Sequence, residues 1–301
     1  MTTKTQKMTF LERLTEGTTI IADGATGTYL QANGLEPGGD PEAMNVTDPD
    51  VVRGMAAEYF EAGSDLVQTN SFGGSRFMQA KYGYGDRVVE LNRLAAEHAR
   101  SEAESADGTR YVAGSMGPTG ELIVPVGETP PGDVYHAFAE QATALAEGGV
   151  DVIVIETMIS VEEAKLAVRA VKEHTSLPVA ALTTFDKGPR GYFTMMGDTP
   201  ESAVKELVEV GADILGTNCG NGIDLMVELG ERFRAAVDGP VWLNSNAGIP
   251  LIRQGQLIYP ESPEQMAKGF KKLSDMGIEI VGGCCGTTPA HIKALSEAVR
   301  G

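Results

Sequence analysis

The chain has 301 residues, 42% of them hydrophobic, with a formal charge of -18 and three cysteines. So acidic a surface repels a phosphate backbone and excludes nucleic acid as a partner. No apolar run approaches the ~20 residues that span a bilayer, the opening MTTKTQKMTF lacks the apolar stretch of a signal peptide, and three cysteines with two adjacent make no disulfide framework, so a reducing cytoplasm is expected.

Along the chain, short β-rich runs alternate with longer helical patterns. The runs fall at 19–22, 66–69, 111–113, 152–155, 179–183, 214–217, 241–243 and 278–281. Several are continuously apolar, as parallel strands covered on both faces are. Amphipathic stretches at 49–62, 87–104, 133–147 and 161–173 lie between them. Thr199, Pro200 and Glu201 read as a cap, a first helical residue and an acidic first turn. Repeated strand-then-helix units imply right-handed crossovers and a parallel sheet. Eight units predict an α/β fold, a (β/α)₈ TIM barrel, formed as a single domain over 1–301. An open doubly wound sheet is the alternative.

In a barrel, chemistry sits on the loops that follow the strands. Those positions are polar, glycine-rich or thiol-bearing here: Asp23-Gly24, Asn70-Ser71, Glu156-Thr157, Asn218-Cys219-Gly220, Asn246 and Gly282-Gly283-Cys284-Cys285-Gly286. Three of the loops, 118–132, 185–198 and 245–263, are long, and long ordered loops in compact folds are usually functional.

All three cysteines follow the sixth and eighth runs, so a barrel brings them to one rim. Three thiolates can hold Zn²⁺ and leave a fourth tetrahedral position open, the mark of a catalytic zinc site. The flanking glycines would let the backbone bend close to a metal. Two other readings stay open: three inert core cysteines, or a glycine-rich phosphate loop in GGCCGTTP leading into the last helix. Metal coordination would serve a thiol substrate, because the thiolate is the nucleophile and a free thiol of pKa ~8.5 is mostly protonated at neutral pH.

At these residues the sequence resembles the homocysteine S-methyltransferase family, which includes the homocysteine-binding module of cobalamin-dependent methionine synthase. The matches are DGATGTYLQ at 23–31, QTNSFGGSR at 68–76, GPTG at 117–120, Glu156-Thr157, NCG at 218–220, NAGIP at 246–250 and GGCCGTTPAHI at 282–292. The resemblance implies zinc on Cys219, Cys284 and Cys285, with Asn246 a further oxygen ligand when substrate is absent. It places Asp23 and Gly24 near the carboxylate and amino ends of homocysteine, and Thr69 and Asn70 in the matching second-strand motif. It also pairs Glu156 with the substrate ammonium. His291 is read as supporting structure, and His98, His136 and His174 as ordinary helix residues.

One barrel accounts for the whole length, so the methyl donor is expected from elsewhere, with no attached cobalamin- or folate-binding module. A betaine enzyme would need an aromatic cage, yet aromatics are 6% of the chain with one Trp. TNSFGGSRFMQAKYG looks most like the methionine synthase module, which implies methylcobalamin carried by a separate corrinoid protein. The alternatives are S-methylmethionine or another sulfonium, a corrinoid-linked enzyme with a different thiol acceptor, and a protein that only binds zinc or a thiol.

Overall fold

The computed structural model describes residues 8–253 and 256–301; residues 1–7 of the opening segment and 254–255 of the 245–263 loop lie outside them. Eight parallel strands carry the fold: β1 (Ile20–Ile21), β2 (Leu66–Gln68), β3 (Tyr111–Met116), β4 (Val152–Met158), β5 (Val179–Thr183), β6 (Ile214–Asn218), β7 (Val241–Ser245) and β8 (Ile280–Gly283). From β2 to β8 each strand pairs with the next, and β8 pairs with β1. A parallel bridge from Ala22 to Leu66 joins β1 to β2 and closes the ring. Asp65 clasps that seam: its N–H donates to the Ile21 carbonyl at 2.7 Å, and its carboxylate accepts the Ile21 N–H at 2.9 Å. A closed ring excludes the open doubly wound sheet.

The long helices that follow the eight strands are α1 (Pro49–Glu61), α2 (Val88–Ser105), α3 (Pro131–Glu147), α4 (Val161–His174), α5 (Pro200–Glu209), α6 (Ile223–Ala236), α7 (Pro263–Asp275) and α8 (Pro289–Arg300). Proline begins five of them, where its fixed φ suits the first turn and its missing N–H costs nothing. Thr199 caps α5 as expected, its hydroxyl accepting from the Ser202 N–H at 3.2 Å.

Strand side chains alternate between two cores. Ile21, Val67, Val112, Ile153, Ala181, Leu243 and Val281 pack outward with the helices. Ile20, Leu66, Tyr111, Val152, Ala180, Ile214, Trp242 and Ile280 point inward. Phe10 and Leu14, from the short helix Phe10–Leu14, join the inner cluster. One step further along the same inward register the side chains turn polar: Gln68, Ser115, Glu156, Asn218 and Asn244, all buried. Five strands also run further than the apolar patterning predicts, β3 to Met116, β4 to Met158, β6 to Asn218, β7 to Ser245 and β8 to Gly283. The backbone ladder continues because these inward polar groups satisfy one another, which a reading of apolar runs does not detect.

Candidate active site

The two cysteine segments hang from the strand between them. The Cys219 N–H donates to the Asn244 carbonyl at 3.2 Å, and the Cys284 N–H donates to the Ser245 carbonyl at 2.7 Å, both on β7. Cys219 itself is left-handed at φ 63°, followed by Gly220 at 71°, and Gly286 at 81° turns the chain after Cys285. A left-handed non-glycine residue is strained, and such strain persists where surrounding structure holds it.

The three sulfurs lie within 4.8 Å of one another, with Cys219 and Cys285 3.9 Å apart. A tetrahedron of ~2.3 Å zinc–sulfur bonds has edges of about 3.8 Å, so the arrangement fits a Cys₃ metal site. Among the described residues it is the one group of three or more potential ligands that close together. Hydrogen bonds from the Cys284 and Cys285 thiols stabilise the Cys219 thiolate and pull it to about 3. The same sharing pushes Cys284 well above its ordinary value and Cys285 to about 11. Metal ligation needs deprotonated thiols, so a bound cation would displace the protons these groups hold.

A cavity of about 250 Å³ opens beside the sulfurs, lined by Gly24, Asn70, Phe72, Glu156, Cys219, Cys284 and their neighbours. In its wall, Glu156 Oε1 accepts from the Gln68 side-chain amide and from the Ser115 hydroxyl, and Oε2 accepts from Asn218 Nδ2 at 3.1 Å. Burial pushes Glu156 up to about 7, with the Ser115 bond opposing and the Cys219 charge adding. Asp23 is 1% exposed; its Oδ2 accepts the Gln68 N–H at 2.8 Å, while Oδ1 is buried without a partner. Burial pushes Asp23 up to about 8, opposed by the Gln68 N–H and reinforced by Glu156. Of the two buried carboxyls, Glu156 lines the cavity, and Asp23 lies behind Gly24 with one oxygen lacking a donor.

Gly24 has no room for a side chain: a Cβ would lie 2.8 Å from both the Thr287 and Tyr59 hydroxyls. Thr287 ties this first loop to the last, accepting the Ala25 N–H at 3.0 Å and donating to the Cys284 carbonyl at 2.7 Å. Asn70 reaches the cavity, though its Nδ2 is committed to the Pro41 carbonyl at 2.7 Å. The structure does not bring Thr69 into the lining; its hydroxyl bonds Ser71 and accepts the Ser115 N–H. Asn246 is 4% exposed, and its Oδ1 is buried without a partner. His291 caps α8 and bonds the Glu261 carbonyl at 3.1 Å, a supporting role.

Sequence reading missed the groups that hold these residues. Gln68, Ser115 and Asn218 fix Glu156, and the Asn244 amide donates to Gln68 Oε1 at 3.3 Å. Glu42, between β1 and α1, is buried beside the cavity and accepts the Gly73 N–H at 2.6 Å. Tyr259 packs against Gly286, next to Cys285. The two-residue inward period, continued past the last apolar residue, would have singled out Gln68, Ser115 and Asn218.

The raised carboxyls make a stability prediction. Unfolded Asp and Glu titrate near ~3.9 and ~4.3, so the native state binds more protons between those values and about 7 to 8. Stability from these groups is complete below pH ~4 and is lost as pH rises through the native values. Asp23→Asn removes one such group. Its thermal midpoint, measured without ligand, is expected to rise relative to wild type as pH goes from 5 to 8.5. A pH-independent difference would refute the assignment.

The long loops carry short hairpins, Asp186–Gly188 with Gly191–Phe193, and Leu251–Arg253 with Gln256–Ile258. Exposed large apolar side chains gather on them and on the 118–132 loop: Leu122, Val124, Met195, Ile249, Ile252 and Leu257 among them, with Ile252 79% exposed. All of them lie on loops that follow the strands, as does Phe72, which lines the cavity. Grouped exposed apolar residues mark an interaction surface where scattered ones do not. No helix among the described residues is long and apolar enough to cross a membrane.

The family model for homocysteine S-methyltransferase matches residues 20–299. The chain is 34% identical to methionine synthase of Mycobacterium tuberculosis, over 93% of this chain and 24% of that protein. It is 32% identical to methionine synthase of Mycobacterium leprae, with the same coverage. The chain therefore spans about a quarter of the length of the curated relatives it matches. Among solved structures, the metallated homocysteine methyltransferase MmuM of Escherichia coli superposes with a TM-score of 0.79 at 22% identity, over 94% of this chain and 97% of that one. At that identity the likeness speaks for the (β/α)₈ fold alone.

Proposed function

Because the chain belongs to the homocysteine S-methyltransferase family, we propose that it is a zinc-dependent enzyme that methylates the sulfur of homocysteine to give methionine. The proposed donor is a methyl-corrinoid carried by a separate protein. The carrying observation is the placement of three converging thiols and the buried Glu156 carboxylate around one cavity, with Asp23 buried just behind its Gly24 wall. Cys219, Cys284 and Cys285 would hold zinc, which when bound supplies the positive charge that keeps a substrate thiol deprotonated at neutral pH.

The remaining work falls to this chain's own side chains. Glu156 and the free Oδ1 of Asp23 take the substrate ammonium. The Gly24–Ala25 turn, held by Thr287, lies beside them for the carboxylate. Asn218 touches both Glu156 and Cys284, so the ammonium site and the sulfur site lie within the reach of one small amino acid. Phe72 is the one aromatic lining the cavity among the described residues, too few for a trimethylammonium cage. The apolar rim supports a macromolecular donor, since methyl displacement needs near-contact and alignment with the substrate sulfur.

The test is methionine formation by zinc-loaded protein from homocysteine and a donor panel. Fast transfer from a methyl-corrinoid protein and slow transfer from free methylcobalamin are expected. Ile252→Asp with Leu257→Asp should slow the first reaction and leave the second unchanged. No product from either corrinoid donor, with rapid turnover of S-methylmethionine, would replace the corrinoid reading with a sulfonium enzyme. Homocysteine binding without turnover of any donor would leave only a thiol-binding protein.

A further inference from the structure

The geometry points to Asn218 as a positioning residue that couples occupancy of the amino-acid pocket to the hold of the three thiols on their metal; this rests on the homocysteine reading above. Asn218 ends β6 and is fully buried. Its Oδ1 accepts the Thr157 N–H at 2.7 Å. Its Nδ2 faces three acceptors: the Thr157 hydroxyl at 2.8 Å, Glu156 Oε2 at 3.1 Å and the Cys284 sulfur at 3.8 Å. The Asn218 carbonyl in turn accepts the Thr184 hydroxyl at 2.9 Å, which anchors the residue from the β5 side.

Two strained residues meet at this amide. Thr157, a β-branched residue at φ 58°, directly follows Glu156, and Cys219 at φ 63° directly follows Asn218. A left-handed β-branched residue is an outlier that needs outside support. Asn218 supplies it to Thr157 through both its backbone N–H and its hydroxyl. One side chain therefore sets the direction of the Glu156 carboxylate while its own backbone leads into the first thiol.

The donor count gives the coupling. An amide nitrogen has two hydrogens, and three acceptors compete for them. An ammonium bound at Glu156 draws on the charge of Oε2 and weakens its pull on the Asn218 hydrogen, which is then shared more fully with the Cys284 sulfur. A hydrogen bond to a thiolate favours its charged, metal-holding form. Amino-acid binding should then tighten metal binding, and by linkage metal should tighten amino-acid binding by the same factor.

The test uses L-2-aminobutyrate, which is homocysteine without its sulfur and cannot itself bind metal through a thiol. Zinc transfer from the full chain to a chelator is followed with and without saturating L-2-aminobutyrate. Wild type is expected to release zinc about fivefold or more slowly when the amino acid is bound, the lower end of ordinary coupling. Asn218→Ala should lose this effect. Asn218→Asp should lose it too, while keeping the acceptor for the Thr157 N–H and hence the turn. In cobalt-loaded protein the amino acid should shift the thiolate charge-transfer bands of wild type and not of either variant. Binding of L-2-aminobutyrate seen by calorimetry without any change in release or spectrum overturns the coupling alone, as does a full effect in both variants. Absence of binding to the metal-loaded wild type overturns the homocysteine reading and the coupling with it.

Discussion

Cys219→Ala is expected to lose bound zinc and at least about a hundredfold in methyl transfer. Removing even an outer partner of a metal ligand costs ~10–100-fold in affinity or activity, so deleting a ligand takes that range as its floor. Cys284→Ala and Cys285→Ala should also lose zinc, because two sulfurs leave the metal without a closed three-point hold. Metal content per chain, measured on reduced protein prepared without chelator, is the direct reading. Cys→Ser at each position controls for packing, since it preserves shape while removing the soft donor. Full zinc content and wild-type turnover in any one variant would remove that cysteine from the site.

Glu156→Gln has the next largest expected effect, and it should separate substrate recognition from metal binding. A charge-assisted hydrogen bond contributes ~1.5–3 kcal/mol, so homocysteine affinity should fall about ten- to a hundredfold. The surroundings of Glu156 add to the loss. A glutamine can keep its oxygen toward Gln68 and Ser115, which both donate to Oε1. Its nitrogen then faces Asn218 Nδ2, a donor against a donor, where Glu156 Oε2 accepts. Zinc content should stay at the wild-type level. Calorimetry with homocysteine on the zinc-loaded variant decides the matter: unchanged affinity would make Glu156 a structural carboxylate, and lost zinc would place its role at the metal.

Much of this site was legible before any coordinates. The eightfold alternation of strand and helix, the proline-led helices and the apolar runs follow from local rules of period and capping, which act within a few residues. The concentration of Gly, Asn and Cys just after the runs, and motifs such as GGCCGTTPAHI and NCG, placed Cys219, Cys284, Cys285, Asp23 and Glu156 on one rim. What local rules cannot carry is which way an inward polar residue turns and whom it meets. Gln68, Ser115, Glu156, Asn218 and Asn244 come from five different strands, and bonds such as Gln68 to Glu156 and Asn244 to Gln68 cross between strands that the sequence does not place together. Thr69 stood in a promising motif, yet the closed barrel turned its hydroxyl to Ser71 and to the Ser115 N–H. That Asp23 would be buried with one of its oxygens lacking a donor was not legible in the sequence. Composition and period determined the barrel and the location of its chemistry, because both are properties of neighbouring residues. The charge state of the carboxyls, the strain at Thr157 and Cys219, and the single amide joining Glu156 to Cys284 were decided by tertiary structure, because burial and long-range hydrogen bonding exist only once distant strands are in contact.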